Sequence, residues 1–162
     1  MRILLRTCSM FAAAIASGAA LAADELPRSL NQAWAESMIE QCLARSHANG
    51  WPPFTIAVVD AGGALVLLRR QDGASAITAD AALLKARTAM RFGGPTQALV
   101  ALSLDSPTRD LMLLLQLTDD PGGVPIKVGT QVVGAIGVSG GAAEQDVGCA
   151  NVGVALPATE RK

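Results

Sequence analysis

The chain has 162 residues with 13 Lys/Arg against 14 Asp/Glu, 51% hydrophobic residues, and only 3% aromatic residues, with no Tyr. No block of basic residues stands out, so nucleic acid and anionic membrane surfaces have no electrostatic footprint to meet. The length suits one domain with one core.

MRILLR carries Arg2 and Arg6 and is followed by the small, apolar run TCSMFAAAIASGAALA. Ala20-Leu21-Ala22 before Ala23-Asp24-Glu25 fits the small-residue rule of a cleaved secretory signal. Residues 1–22 are therefore expected to be a signal peptide, with residues 23–162 a single domain in the periplasm or outside the cell. Cleavage takes Arg2 and Arg6 from the 13 basic residues and none of the 14 acids, leaving a net charge of −3. No membrane anchor is expected after cleavage.

Leu30, Trp34, Met38, Ile39, Cys42 and Leu43 recur at helical spacing, with Glu36 and Glu40 on the other side. Ser29 or Asn31 can cap this helix, and Asn49-Gly50 followed by Pro52-Pro53 ends it. FTIAVVD and ALVLLRR flank the turn AGG and read as a β-hairpin. Both strands are nearly continuous apolar runs, which predicts cover on both faces.

Residues 79–92 return to helical spacing through Ala82, Leu83, Ala86, Ala89 and Met90, closed by Gly93-Gly94. Thr96 can cap a short following helix, and Ser106-Pro107 signals the start of another, with Leu111, Met112, Leu114 and Leu115. VPIKV, a Gly129-Thr130 turn and QVVGAIGV give a second hairpin, with Pro125 predicting an edge or a bulge. Ser139-Gly140-Gly141 leads into a last helix from about Ala142 to Val154, and PATERK reads as a frayed tail. The order α-β-β-α-α-β-β-α predicts an α+β protein with an antiparallel sheet.

AVVDAGGALV, RRQDGA, LLKARTAMRFGGPT and PGGVPI…VVGAIGVSGGAAEQD stand in this order and together resemble the GlcG/HbpS family, the haem-degrading or DUF336 domain also found at the C-terminus of PduO proteins. The resemblance runs from about Leu30 to Leu156. It implies a profilin-like fold: a central antiparallel sheet with the first and last helices packed together on one face. It also implies homo-oligomers assembled from dimers, and binding of haem or another tetrapyrrole in some members.

The candidate site residues are Asp72, Lys85, Gly122, Gly123 and Asp146. Asp72 and Lys85 match the family's DGA and KA motifs and are expected to converge as a polar pair that binds a carboxylate or carbonyl oxygen. Gly122 and Gly123 are read either as a pocket lip or as a plain turn. Gly134 and Gly137 face opposite sides of their strand and suit close helix packing. Ser139-Gly140-Gly141 can offer backbone N–H groups to an anion, with Asp146 as a ligand or metal contact, or simply as an acid that stabilises the helix start.

Cys42 and Cys149 pair as a disulfide in an oxidising compartment or pack as separate small core residues. His47, the single histidine, falls on the polar side of its helix and reads as an exposed structural residue rather than a haem ligand. That scarcity leaves no His/Cys zinc site, and no Ser-His-Asp triad can be assembled. No metal site is expected. Three functional readings follow: a small-molecule binder with haem as the cofactor or ligand implied by the resemblance, an enzyme acting on haem or a small oxygenated metabolite, or an oligomeric accessory protein without a ligand.

Overall fold

The structure, a computed structural model, describes residues 30–155. The signal peptide expected at 1–22, the Ser29 cap and the PATERK tail lie outside these residues. Helix α1 (Gln32–Ala48) is capped by Asn31, whose Oδ1 accepts from the Trp34 N–H at 2.8 Å. Strands β1 (Thr55–Asp60) and β2 (Leu65–Arg70) form the first hairpin, and helix α2 (Ile77–Phe92) follows. Two short 3-10 turns, Thr96–Leu99 and Leu102–Leu104, lead to helix α3 (Ser106–Leu114). Strands β3 (Gly123–Val128) and β4 (Gln131–Ser139) and helix α4 (Ala143–Val154) complete the fold.

The four strands are antiparallel in the order β2-β1-β4-β3. β1 and β4 are central, so the two hairpins join through Thr55 opposite Ser139 and Asp60 opposite Gly134. Pro125 sits on the edge strand β3, where its missing N–H costs no ladder bond, and a register shift follows at Ile126/Lys127. β1 is buried almost throughout, as its apolar run predicts, whereas β2 is only half-buried. The expectation of cover on both faces fails for β2 because it is the other edge of the sheet.

On one face, Trp34, Met38, Ile39 and Cys42 of α1 and Cys149 and Ala150 of α4 pack over Ile56, Val58, Ile126, Ile136 and Val138. On the other, Ala86, Ala89, Leu83 and Met90 of α2 cover Val59 and Ala135. The first and last helices thus share a face, as the resemblance implies. A disulfide between Cys42 and Cys149 ties α1 to α4, with Cα atoms 4.6 Å apart.

Two helix starts differ in detail from the sequence reading. The cap of α3 is Asp105 rather than Ser106, accepting from the Thr108 N–H at 3.1 Å and the Thr108 hydroxyl at 2.7 Å. Thr96 is no side-chain cap; its hydroxyl donates to the Asp120 carbonyl at 2.8 Å and accepts from the Gly123 N–H at 3.0 Å. It thereby fastens the segment before β3 to the turn after α2.

Candidate functional site

Lys85 lies on α2 with its side chain only 2% exposed. An ammonium so far from water needs counter-charge, and two carboxylates supply it. Lys85 Nζ is 2.9 Å from Asp146 Oδ2 and 3.0 Å from Asp120 Oδ2. The two partners differ: Asp146 is buried in the first turn of α4, whereas Asp120 is 56% exposed in the segment that enters β3. The other oxygen of Asp146 accepts from the Gly141 N–H at 3.0 Å. Burial pushes the Asp146 carboxyl above its ordinary value of 3.8, against the downward pull of the Lys85 ammonium and the Gly141 N–H.

Gly122 and Gly123 make room for this cluster. A Cβ on Gly122 would stand 2.6 Å from the Val138 carbonyl oxygen and 2.9 Å from Asp146 Cβ. On Gly123 it would overlap the Lys85 carbonyl oxygen. The space left by their missing side chains is filled by protein, so these glycines let β3 begin directly against α2 and α4. Gly137 acts likewise, where a Cβ would overlap the Ala82 carbonyl of α2, while Gly134 faces Leu30 on the opposite side.

The sequence reading brought Asp72 to Lys85. Asp72 is instead exposed, and its carboxylate is not among the ion-pair partners of Lys85. Lys85, Gly122, Gly123 and Asp146 do come together. The residue missed is Asp120, which sits among Thr118, Asp119 and Pro121 in an irregular segment with no periodicity to mark it. Two N–H groups at the start of α4 are taken up within the protein: Gly141 donates to Asp146, and Ala142 donates to Gln145 Oε1 at 2.9 Å.

A haem iron takes His, Met, Cys or Tyr. Cys42 and Cys149 are joined to each other, and Met38 and Met112 are buried. His47 is exposed near the C-terminus of α1, with Nε2 3.3 Å from Gln71 Nε2. Met90 is half-buried against the Val59 and Ala135 cluster, so among these donors the exposed His47 imidazole is the one that fits a haem held at the surface. Among the described residues no group of three or more His, Cys, Asp or Glu could hold a metal ion, and no helix is long and apolar enough to cross a membrane.

An antiparallel four-stranded sheet with α1 and α4 on one face and α2 on the other defines an α+β protein of the GlcG-like, profilin-like class. The chain belongs to the HbpS-like family: the model described as haem degrading protein HbpS-like matches residues 30–155. It is 36% identical to protein GlcG of Escherichia coli strain K12 over 110 residues, which are 68% of this chain and 81% of that one. Its fold is similar to that of Klebsiella pneumoniae protein ORFY, at 29% identity and TM-score 0.72, covering 78% of this chain and 92% of that one. It shares its fold with the structure described as a PduOC:heme complex, at 23% identity and TM-score 0.73, covering 79% of this chain and 94% of that one.

Proposed function

We propose that the protein is an exported, oligomeric binder of a carboxylate-bearing small molecule, with haem or another tetrapyrrole as the ligand class. Residues 1–22 would direct export, and the Cys42–Cys149 disulfide supports an oxidising destination. Haem is the class to test first because the family model is described as haem degrading and a protein of the same fold is described in complex with heme.

The observation that carries the reading is the asymmetry of Lys85's partners. Asp146 is buried and fixed, while the Asp120 side chain is largely exposed, with only its backbone held, by the Thr96 hydroxyl. A ligand carboxylate, such as a haem propionate, takes Asp120's place on the ammonium, with Asp146 remaining as permanent counter-charge. Charge stays balanced through the exchange, which keeps its cost low. Asp72 has no part in this arrangement.

Oligomerisation is supported by the segment between α2 and β3. Leu104 is 82% exposed and Leu114 is 79% exposed, with Leu102, Leu111 and Leu113 also exposed. The turn at Leu102–Leu104 lies against α3, so the exposed leucines are concentrated in this one segment. A water-facing patch of this kind is expected to be covered by protein. A second copy of the chain is the proposed cover.

The test is a titration of the purified protein with haem and, separately, with haem dimethyl ester, which lacks free carboxylates. A saturable Soret shift with haem and weaker binding of the ester are expected. Asp120→Ala is expected to tighten haem binding several-fold by removing the competing carboxylate. Absence of a Soret shift at micromolar haem would overturn the ligand class. Equal binding of haem and ester would overturn the role of Lys85. His47→Ala reports separately whether the iron is held through imidazole.

A further inference from the structure

A cavity of about 320 Å³ lies along the outer face of α2, away from the Lys85 cluster, lined by Asp80, Leu83, Leu84, Arg87, Arg91 and Gln116. Residues 80, 83, 84, 87 and 91 are one helical stripe, so their side chains stand in a row on the same face. Gln116, from the segment after α3, forms the opposite wall.

Arg87 and Arg91 are both held by backbone carbonyls. Arg87 Nε donates to the Gly63 carbonyl at 3.1 Å, and Arg91 Nη1 donates to the Leu115 carbonyl at 2.6 Å. Among the described residues neither guanidinium takes part in an ion pair. Asp80 lines the same cavity and forms no ion pair with them. Each guanidinium has five N–H donors in a rigid fork, so the bonds already made orient it and leave donors for an anion. Two oriented cations beside Leu83 and Leu84 make a site that is positive at one end and apolar along its floor, with the Asp80 carboxylate at the other end.

Gln116 is placed on that wall by the way α3 ends. It takes the left-handed conformation of a helix stop, φ 53, with the Leu117 N–H donating to the Met112 carbonyl at 2.8 Å and the Gln116 N–H to the Leu113 carbonyl at 3.0 Å.

We propose that this cavity is a binding site for a small amphipathic carboxylate, with its anionic head on Arg87 and Arg91 and its apolar body on Leu83 and Leu84. The volume is at the small end for ligand sites, which suits a single-carboxylate molecule of modest length and not a tetrapyrrole. The site is separate from the exchange at Lys85, so either can fail without the other.

Octanoate, with 1-octanol as its uncharged counterpart, tests the proposal by NMR on isotope-labelled full-length domain. Octanoate is expected to shift the Arg87 Nε–H and Gln116 amide signals saturably, and octanol is not. Arg87→Gln with Arg91→Gln is expected to weaken octanoate binding by about tenfold or more. Lys127→Gln, which removes one exposed charge on the edge strand, is expected to bind as the parent does. Near-UV circular dichroism confirms that each variant is folded. The proposal is overturned if octanol matches octanoate, or if the double variant binds equally well. It is also overturned if no saturable shift occurs at millimolar octanoate, or if the shifts fall instead at Asp120–Gly122 or at Leu113 and Leu114.

Discussion

Lys85 Nζ and Asp146 Oδ2 are 2.9 Å apart although 61 residues separate them in the chain. They belong to helices on opposite faces of the sheet, α2 and α4, and meet beside the glycine-lined start of β3. The pair therefore fastens the two helical layers to each other past the sheet. Removing one partner strands the other charge in an apolar setting. Lys85→Met is expected to lower unfolding free energy by about 3–5 kcal/mol, read from urea denaturation. Adding Asp146→Leu is expected to restore part of that loss, because no lone charge is then left buried. A Lys85→Met loss under 1 kcal/mol, roughly the worth of a surface pair, would show that the ammonium reaches water.

Asp146 also sets a pH dependence. Its folded pKa is raised by burial, so between 3.8 and that raised value the folded state holds a proton that the unfolded state has released. The contribution of this group is fully present below pH 3.8 and is lost as pH rises through the folded pKa. The difference in melting temperature between the parent and Asp146→Asn is expected to move against the parent as pH climbs from 3.5 to 7. A difference flat across that range would refute the assignment.

The disulfide closes a loop with a sequence separation of 107. Restricting the unfolded chain over such a span is worth about 2–5 kcal/mol. Cys42→Ala with Cys149→Ala is expected to lower the chemical denaturation midpoint accordingly, and reductant is expected to mimic the double variant. Equal midpoints with and without reductant would show that the thiols are not joined in solution.

Gly137 lies where the carbonyl of Ala82 rests on the sheet. Gly137→Ala is expected to push α2 outward and cost about 1–3 kcal/mol, the usual range for overpacking. Gly129 provides a contrast, since a Cβ there meets nothing within 4 Å but the backbone has φ 59. Gly129→Ala is expected to cost only the left-handed backbone penalty, about 1–2 kcal/mol. Thermal melts of the two variants, run with far-UV spectra, separate packing from backbone strain.

Leu113 and Leu114 sit on the exposed face of α3. Leu113→Glu with Leu114→Glu is expected to reduce the mass measured by light scattering to that of one chain while leaving the melting temperature of the monomer little changed. A parent protein that is already monomeric at all concentrations would refute the apolar surface as a self-association face.

The local elements were legible because each carries its own punctuation. Asn31 caps α1, Gly93 closes α2, and Gly129-Thr130 turns the second hairpin, all signals that act within a few residues. The apolar identity of β1 fixed its central place, whereas the equally apolar β2 gave no hint that it lies on an edge. The site was half legible. A lysine flanked by alanine and leucine has to find an acid, and Lys85 was identified on that ground. Which acid was not legible: Asp72 and Asp146 both stand beside glycine turns, and only the packing of α2 across the sheet decides between them. Asp120 left no trace because an irregular segment has no period.

The strand order β2-β1-β4-β3 places Thr55 beside Ser139, so the centre of the sheet is made by the first and last strands of the described residues. A nascent fragment ending before Gly123 holds α1, the first hairpin, α2 and α3 but lacks β4, the second central strand, and α4. Closure of the sheet therefore waits for the C-terminal hairpin and depends on contacts distant in sequence. Only afterwards do Cys42 and Cys149 come within reach of each other, which makes oxidation the last covalent record that the chain has been assembled correctly.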